Sequence, residues 1–324
     1  MLTRNTMLKP SSPLPPSFGG MTRRDFLTVS AAACLAPRAA DAASSNSEFQ
    51  FAYLTDIHVQ PEKGAGDGLN QCLRAVNALA PRPDFVLTGG DLVMDSLLAD
   101  HARIKVQWDL FDECWKRLEL PSHHTIGNHD VGGWAAGSLL RPEDADYGKR
   151  YFADRYGKGR TYRSFDHQGW HFILLDSIGH DPDTERGFLG WIDDEQMDWL
   201  KKDLAATGKS KPVIIVTHIP LFSVWTQMTG DPRKGTNKEG LVNNAHVVRK
   251  LFGGHNIRLV LSGHGHLLER IDIGGISYIQ GGAVCGLWWK GPVFGNPEGF
   301  AVVTCRADGT FAFDYRGYGW KTVQ

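Results

Sequence analysis

Residues 49–58 read FQFAYLTDIH, an apolar and aromatic run that ends on a carboxylate and an imidazole two positions apart. A short apolar run of this kind suits a buried strand, and the polar pair falls where the strand hands over to a loop. The arrangement recurs four times down the chain. DFVLT (84–88) runs into Gly89-Gly90-Asp91, and HTI (124–126) into Gly127-Asn128-His129-Asp130. VIIVT (213–217) runs into His218, and RLVLS (258–262) into Gly263-His264-Gly265-His266. Ligands of open α/β sheets gather at the carboxyl ends of strands, where the loops and the crevice lie.

The residue types point to two cations. Neighbouring cations repel, and a carboxylate shared between them lowers that cost, with Asp91 as the natural bridge. Neutral imidazoles and an amide oxygen complete both shells without excess negative charge and leave positions open for water and phosphate oxygens. Glycines at 89, 90, 127, 263 and 265 remove side chains where backbone must turn close to bound ions. Any one of these histidines alone could be a core residue; all five motifs in order, each behind an apolar strand, specify a metal site.

Between the motifs, the pattern predicts helices over 68–80 and 193–206. A third, over 99–118, carries Ile104, Trp108, Phe111, Trp115 and Leu118 at helical spacing. A helical patch is expected at 147–156, a hairpin from 162–165 and 170–175, and a polar surface loop at 223–240. Strands at 267–273, 276–280, 299–304 and 310–315 close the chain. Strands alternating with helices and then a run of strands predict an α/β sandwich, with residues 43–324 as a single catalytic domain.

The set Asp56-Ile57-His58, Gly90-Asp91, Gly127-Asn128-His129-Asp130, Thr217-His218 and Gly263-His264-Gly265-His266 resembles the calcineurin-like metallophosphoesterase superfamily, from about residue 49 to the C-terminus. The hairpin YRSFDHQGWHFILLDS and the helix EQMDWLKKDL are also similar to segments of that family. The resemblance implies a four-layer α/β/β/α sandwich with two facing mixed sheets. It implies one metal held by Asp56, His58, Asp91 and His266, and a second by Asp91, Asn128, His218 and His264. It implies further that His129 faces the phosphate, that Asp130 orients His129, and that a metal-bridging hydroxide attacks phosphorus. Gly90-Asp91-Leu92-Val93-Met94 departs from the purple acid phosphatase branch, which carries a ferric-binding tyrosine where Met94 stands. The pattern is closer to class III cyclic-nucleotide phosphodiesterases.

The expected activity is hydrolysis of phosphodiesters, cyclic-nucleotide-like or otherwise nucleotide- or lipid-derived. A periplasmic phosphomonoesterase is the alternative, and a non-catalytic scaffold a third reading. The two divalent metal ions are manganese, iron or zinc, a choice the ligands leave open. Trp134, Trp225, Trp288 and Trp289 flank the motifs and could stack on a base, although Trp288 and Trp289 lie in an apolar run that suits ordinary packing. Arg233 and Lys234 could hold a distal phosphate or be solvated loop charges. The other histidines lack the motif context, with His123 and His124 close enough to GNHD to watch.

The whole chain has 324 residues, 42% hydrophobic and 22% charged, with a formal net charge of -1. That balance gives no footprint for a nucleic-acid polymer, and no stretch reaches the roughly 18–20 apolar residues of a bilayer span. Residues 1–42 are expected to be a disordered extension and a twin-arginine signal. Arg23-Arg24 precede Phe26-Leu27, a weakly apolar run follows, and Ala40-Asp41-Ala42 offers a cleavage site. The twin-arginine machinery is then a partner and the location periplasmic or secreted. Cys34 is a weak lipidation alternative, and Met1, Met7 and Met21 are candidate starts. Cys72, Cys114, Cys285 and Cys305 form no CxxC pair, and export after cytoplasmic folding favours free thiols.

Overall fold

The computed structural model describes residues 48–230 and 237–323. The twin-arginine segment, its cleavage site, Cys34, Arg233 and Lys234 lie outside the described residues.

Two mixed sheets carry the fold. The first orders its strands β13-β12-β1-β2-β3, with β1 (Phe49–Leu54), β2 (Phe85–Thr88), β3 (Ser122–His123), β12 (Gly299–Cys305) and β13 (Phe311–Gly317). The second orders its strands β10-β11-β9-β8-β5-β4. These are β4 (Arg163–His167), β5 (Trp170–Leu174), β8 (Val213–Val216), β9 (Ile257–Ser262), β10 (Leu268–Ile273) and β11 (Ile276–Gly281). Within the first sheet β1, β2 and β3 run parallel; within the second β5, β8, β9 and β11 do. A small antiparallel pair, β6 (Ile178–His180) and β7 (Phe188–Gly190), stands apart.

The continuous apolar runs exist because both faces of each sheet are covered. Alternation sends Phe49, Phe51 and Tyr53 of β1 to one side, where they join Phe85, Leu87, Trp170, Phe172 and Leu261 in an inter-sheet core. Ala52 and Leu54 point the other way. They share a second cluster with Leu69, Leu73 and Val76 of helix α1 (Ala65–Asn77) and with Trp108 and Phe111 of α2 (His101–Trp115). On the far sheet Ile173 and Ile215 belong to the same cluster as Leu200 and Leu204 of α3 (Asp194–Thr207) and Val248 of α4 (Ala245–Leu251). Helix, sheet, sheet and helix are the expected four layers.

Local chemistry sets the boundaries. Asp100 and Asp193 cap α2 and α3 by accepting from the backbone N–H of Arg103 and of Gln196. Helix α1 ends at Asn77, three residues short of the expected residue 80, with Ala78 as its C-cap. The third apolar step pairs at Ser122–His123, two residues ahead of 124–126, and Thr125 N–H adds one bond to Thr88 O. Gln168 and Gly169, at φ 43° and 83°, turn β4 into β5 with both residues left-handed, as a tight hairpin requires. The β6–β7 pair, helix α4 and a short helix at Trp225–Thr229 were not anticipated.

Cys72, Cys114, Cys285 and Cys305 are free and buried. Among the described residues no helix is long and apolar enough to cross a membrane.

The fully buried Phe172 ring stacks on Phe165 at 4.8 Å and meets Phe51 and Phe85 edge-on at 5.5 Å. Phe172→Ala is expected to lower unfolding free energy by about 3–5 kcal/mol, measured by denaturant titration. A loss under ~1 kcal/mol would mean the sheets do not share this core.

Candidate metal centre

The backbone is strained where the strands end. Asp56, His58, Asp91, His264 and His266 adopt left-handed conformations, with φ of 54°, 48°, 54°, 74° and 53°. Such residues each cost on the order of 1 kcal/mol or more and persist only where their surroundings over-determine them. Here the loops bind one another. Asp56 N–H donates to Gly90 O, both Ile57 and His58 N–H donate to Asp91 O, Gly263 N–H donates to His218 O, and Cys285 N–H donates to Asp56 O. Two glycines are needed for space: a Cβ on Gly127 would sit 2.2 Å from Asp91 Oδ1, and one on Gly263 would sit 2.3 Å from Asp56 Oδ2.

The expected ligands converge in two groups that share Asp91. On one side His58 Nε2 lies 3.4 Å from Asp91 Oδ2, 3.9 Å from Asp56 Oδ1 and 3.1 Å from His266 Nε2, which is itself 3.5 Å from Asp56 Oδ1. On the other, His218 Nε2 lies 3.1 Å from Asp91 Oδ2 and 3.0 Å from Asn128 Oδ1, to which His264 Nδ1 also comes within 3.0 Å. Backbone carbonyls orient two of the rings: His218 Nδ1 meets Gly89 O at 2.8 Å and His266 Nδ1 meets Gly286 O at 2.6 Å. Each Nδ1–H donates to its carbonyl, so Nε2 is the nitrogen turned inward, and it is bare once a cation replaces its proton, the usual outer support of a metal-bound imidazole. Lone pairs then face lone pairs and carboxylates, a donor set that fits two cations bridged by Asp91.

Electrostatics agree. Burial works against ionised Asp91, yet His218, His129 and His58 hold its carboxyl well below the usual range. Burial likewise opposes a charged His218, but Asp91 overrides it and lifts the imidazole to about 9. A positive charge is therefore wanted between these residues, and a cation can take the place of the proton. Burial pushes His58 well below its ordinary value and His264 to about 3, which keeps both neutral and ready to coordinate.

His129 lies beside the donors, with its N–H on Asp91 Oδ1 at 2.9 Å and its ring Nδ1 on Met94 O. That contact directs Nε2 away from the Met94 backbone. Asp130, expected to orient His129, is engaged elsewhere. Its buried carboxylate accepts the backbone N–H of Leu92 (2.8 Å), Val93 (3.2 Å) and Gly127 (2.8 Å), clamping two ligand loops together. Burial and the charge of Asp91 raise it to about 7. His123 and His124 stay outside the centre: His123 stacks on Phe165 at 3.8 Å, and His124 bonds Ser122 and Thr88.

The tryptophans divide. Trp289 is core, whereas Trp288 rests on His58, His266 and His129 at centroid distances of 4.3, 4.7 and 5.4 Å. Trp225 stands edge-on to His264 at 6.0 Å, and Trp134 packs on His180. Sequence reasoning missed Ser177, whose Oγ accepts the N–H of His218 and Ile219. It also missed the carbonyls of Gly89, Met94 and Gly286, since a backbone oxygen carries no residue-type signal.

A family model described as calcineurin-like phosphoesterase matches residues 49–268. A human manganese-dependent ADP-ribose/CDP-alcohol diphosphatase is 25% identical over 184 residues, covering 43% of this chain and 53% of that protein. The alignment thus spans about half of the human relative's length. A probable cyclic nucleotide phosphodiesterase of Rhodococcus erythropolis is 22% identical over 246 residues, covering 72% of this chain and 70% of that protein. Among solved structures, a dimetal phosphatase from Danio rerio shares the fold at TM-score 0.60 and 17% identity, covering 85% of this chain and 98% of that one.

Gly127→Ala forces a methyl against Asp91 Oδ1 and is expected to lower bound metal by at least ~tenfold at limiting supply, through displacement of the shared carboxylate. Elemental analysis of the folded variant checks this; full metal occupancy would show that Asp91 is not the shared ligand.

Proposed function

Because the chain belongs to the calcineurin-like phosphoesterase family, we propose that it is a two-metal hydrolase of phosphodiesters. The observation that carries this reading is the pair of donor groups sharing Asp91, set against a histidine whose Nδ1 is occupied by a backbone carbonyl. Asp56, His58, Asp91 and His266 would hold one ion, and Asp91, Asn128, His218 and His264 the other. When bound, the ions supply Lewis acidity toward phosphoryl oxygens and a source of hydroxide near neutral pH. The chain's own residues do the rest. Met94 O accepts from Nδ1–H, so Nε2 is the His129 atom that meets the ester. With both ring nitrogens protonated, the imidazolium would pass its Nε2 proton to the departing oxygen and be left neutral with Nδ1–H still on Met94 O. Asp130 is a positioning residue, holding the loops that carry Asp91 and Asn128.

Preference for diesters draws support from the intact Gly-Asp-Leu-Val and Gly-Asn-His-Asp motifs and from the apolar cleft above the centre, which leaves room for a second ester substituent. Manganese or ferrous iron is the proposed metal. A twin-arginine route would export residues 43–324 as one folded domain, already loaded in the cytoplasm and before it meets zinc. Native exported protein that contains only zinc would count against that loading.

With manganese added, bis-p-nitrophenyl phosphate is expected to be cleaved at a higher kcat/KM than p-nitrophenyl phosphate. His129→Ala is expected to cut kcat by ~10²–10⁴-fold while metal content stays unchanged. Monoester turnover without diester cleavage would favour the phosphomonoesterase alternative. Asp91→Asn at parental activity would instead revive a role without catalysis at this centre.

A further inference from the structure

Residues 282–298 form an anchored arm beside the centre, and its backbone is costly for the chain. Trp288 and Trp289 are consecutive bulky residues in the left-handed region, at φ 54° and 63°, where such side chains are genuine outliers. Anchors on both sides hold them there. Val284 N–H donates to Thr55 O and Cys285 N–H to Asp56 O, so the root of the arm shares backbone with a metal-centre residue. Trp289 is 1% exposed, donates its indole N–H to His58 O at 3.0 Å and meets Trp320 edge-on at 5.7 Å. Farther out, Val293 and Asn296 exchange backbone hydrogen bonds of 3.0 and 2.9 Å around Phe294-Gly295, whose φ of 49° and 81° make a tight turn.

The result is an apolar wall. Leu287 and Phe294 are 43% and 46% exposed, an unusual use of large apolar side chains beside a polar centre. With Trp225 and Trp288 they border a cleft of about 270 Å³ whose floor includes Asp91 and His129. No lysine or arginine is among the described residues lining it. Ordinary packing explains Trp289 but not its neighbour, which is half-buried and held by a strained backbone against three histidines of the centre.

We propose that Trp288, flanked by Leu287 and Phe294, is a specificity-determining residue that docks the non-leaving substituent of the phosphodiester, and that this substituent is an uncharged planar aromatic group. This rests on the phosphodiesterase reading of the same centre and names its substrate class. An aromatic group would lie against the indole and displace water from apolar surface; a methyl or small polyol substituent would leave the wall wetted.

The test pairs two diesters with one leaving group, phenyl p-nitrophenyl phosphate and methyl p-nitrophenyl phosphate. The manganese-loaded protein is expected to favour the phenyl ester by roughly tenfold in kcat/KM, chiefly through KM. Trp288→Ala is expected to shrink that preference below about threefold and Trp288→Phe to keep most of it, with Phe294→Ala intermediate. Elemental analysis of each variant establishes that the centre is still loaded. If Trp288→Ala loses metal, the Phe294→Ala and Trp288→Phe pair decides. Calorimetric binding of phenylphosphonate against methylphosphonate reads the same preference without turnover. Equal treatment of phenyl and methyl probes by the parent, or a preference untouched in loaded Trp288→Ala, overturns the proposal and leaves diester hydrolysis standing. Failure to cleave either ester while phenylphosphonate still binds selectively overturns the phosphodiesterase reading instead.

Discussion

One carboxylate, Asp91, is approached from both sheets. It leaves β2 of the first sheet, and His218, 3.1 Å away, leaves β8 of the second. Buried ionised groups are tolerated only when paired and hydrogen-bonded, so the pole at which the sheets meet has to be compensated with positive charge. The surrounding features answer that demand. Left-handed backbone turns the side chains of Asp56, His58, His264 and His266 into the same small volume. Glycines clear the space, and carbonyl oxygens decide which ring nitrogen faces inward. A site so arranged accepts cations in place of protons, which ties the charge problem of the fold to its chemistry.

The sandwich makes that arrangement stiff. The inter-sheet core is aromatic, with Phe85 and Phe172 each touching Phe51, Phe165 and one another, and it holds the strands whose ends carry the donors. Interiors packed at crystal-like density transmit small displacements rather than absorbing them. The Asp130 clamp acts at the same level. Two of its three accepted N–H bonds, from Leu92 and Val93, join the loop after β2 to the loop after β3, and the third, from Gly127, ties the latter loop to itself. A side chain outside the donor set thus helps to set the spacing of Asp91 and Asn128.

The strands and the donor set were legible from residues 49–58 onward because both depend on short-range information. Buried parallel strands leave uninterrupted apolar runs, and aspartate and histidine immediately after five such runs have few other uses. Elements with less signal were not legible. The β6–β7 pair has three residues per strand, too few to show a period, and helix α4 has only seven. Trp288 and Trp289 are adjacent and chemically identical, so nothing local could tell that one is core and the other borders the cleft. The family resemblance implied that Asp130 orients the His129 ring; the tertiary structure instead turns its carboxylate toward backbone amides.

By itself, then, the sequence determined the place of the sandwich's long strands along the chain, the class of fold and the candidate donors, since hydrophobic periodicity and ligand chemistry are properties of the residues. Only the tertiary structure decided which atoms meet. The tautomers of His218 and His266, the hold of Met94 on His129 and the pose of Trp288 all depend on carbonyls and rings brought from distant segments. Those partners are chosen by the crossing of loops in space, to which no run of neighbouring residues has access.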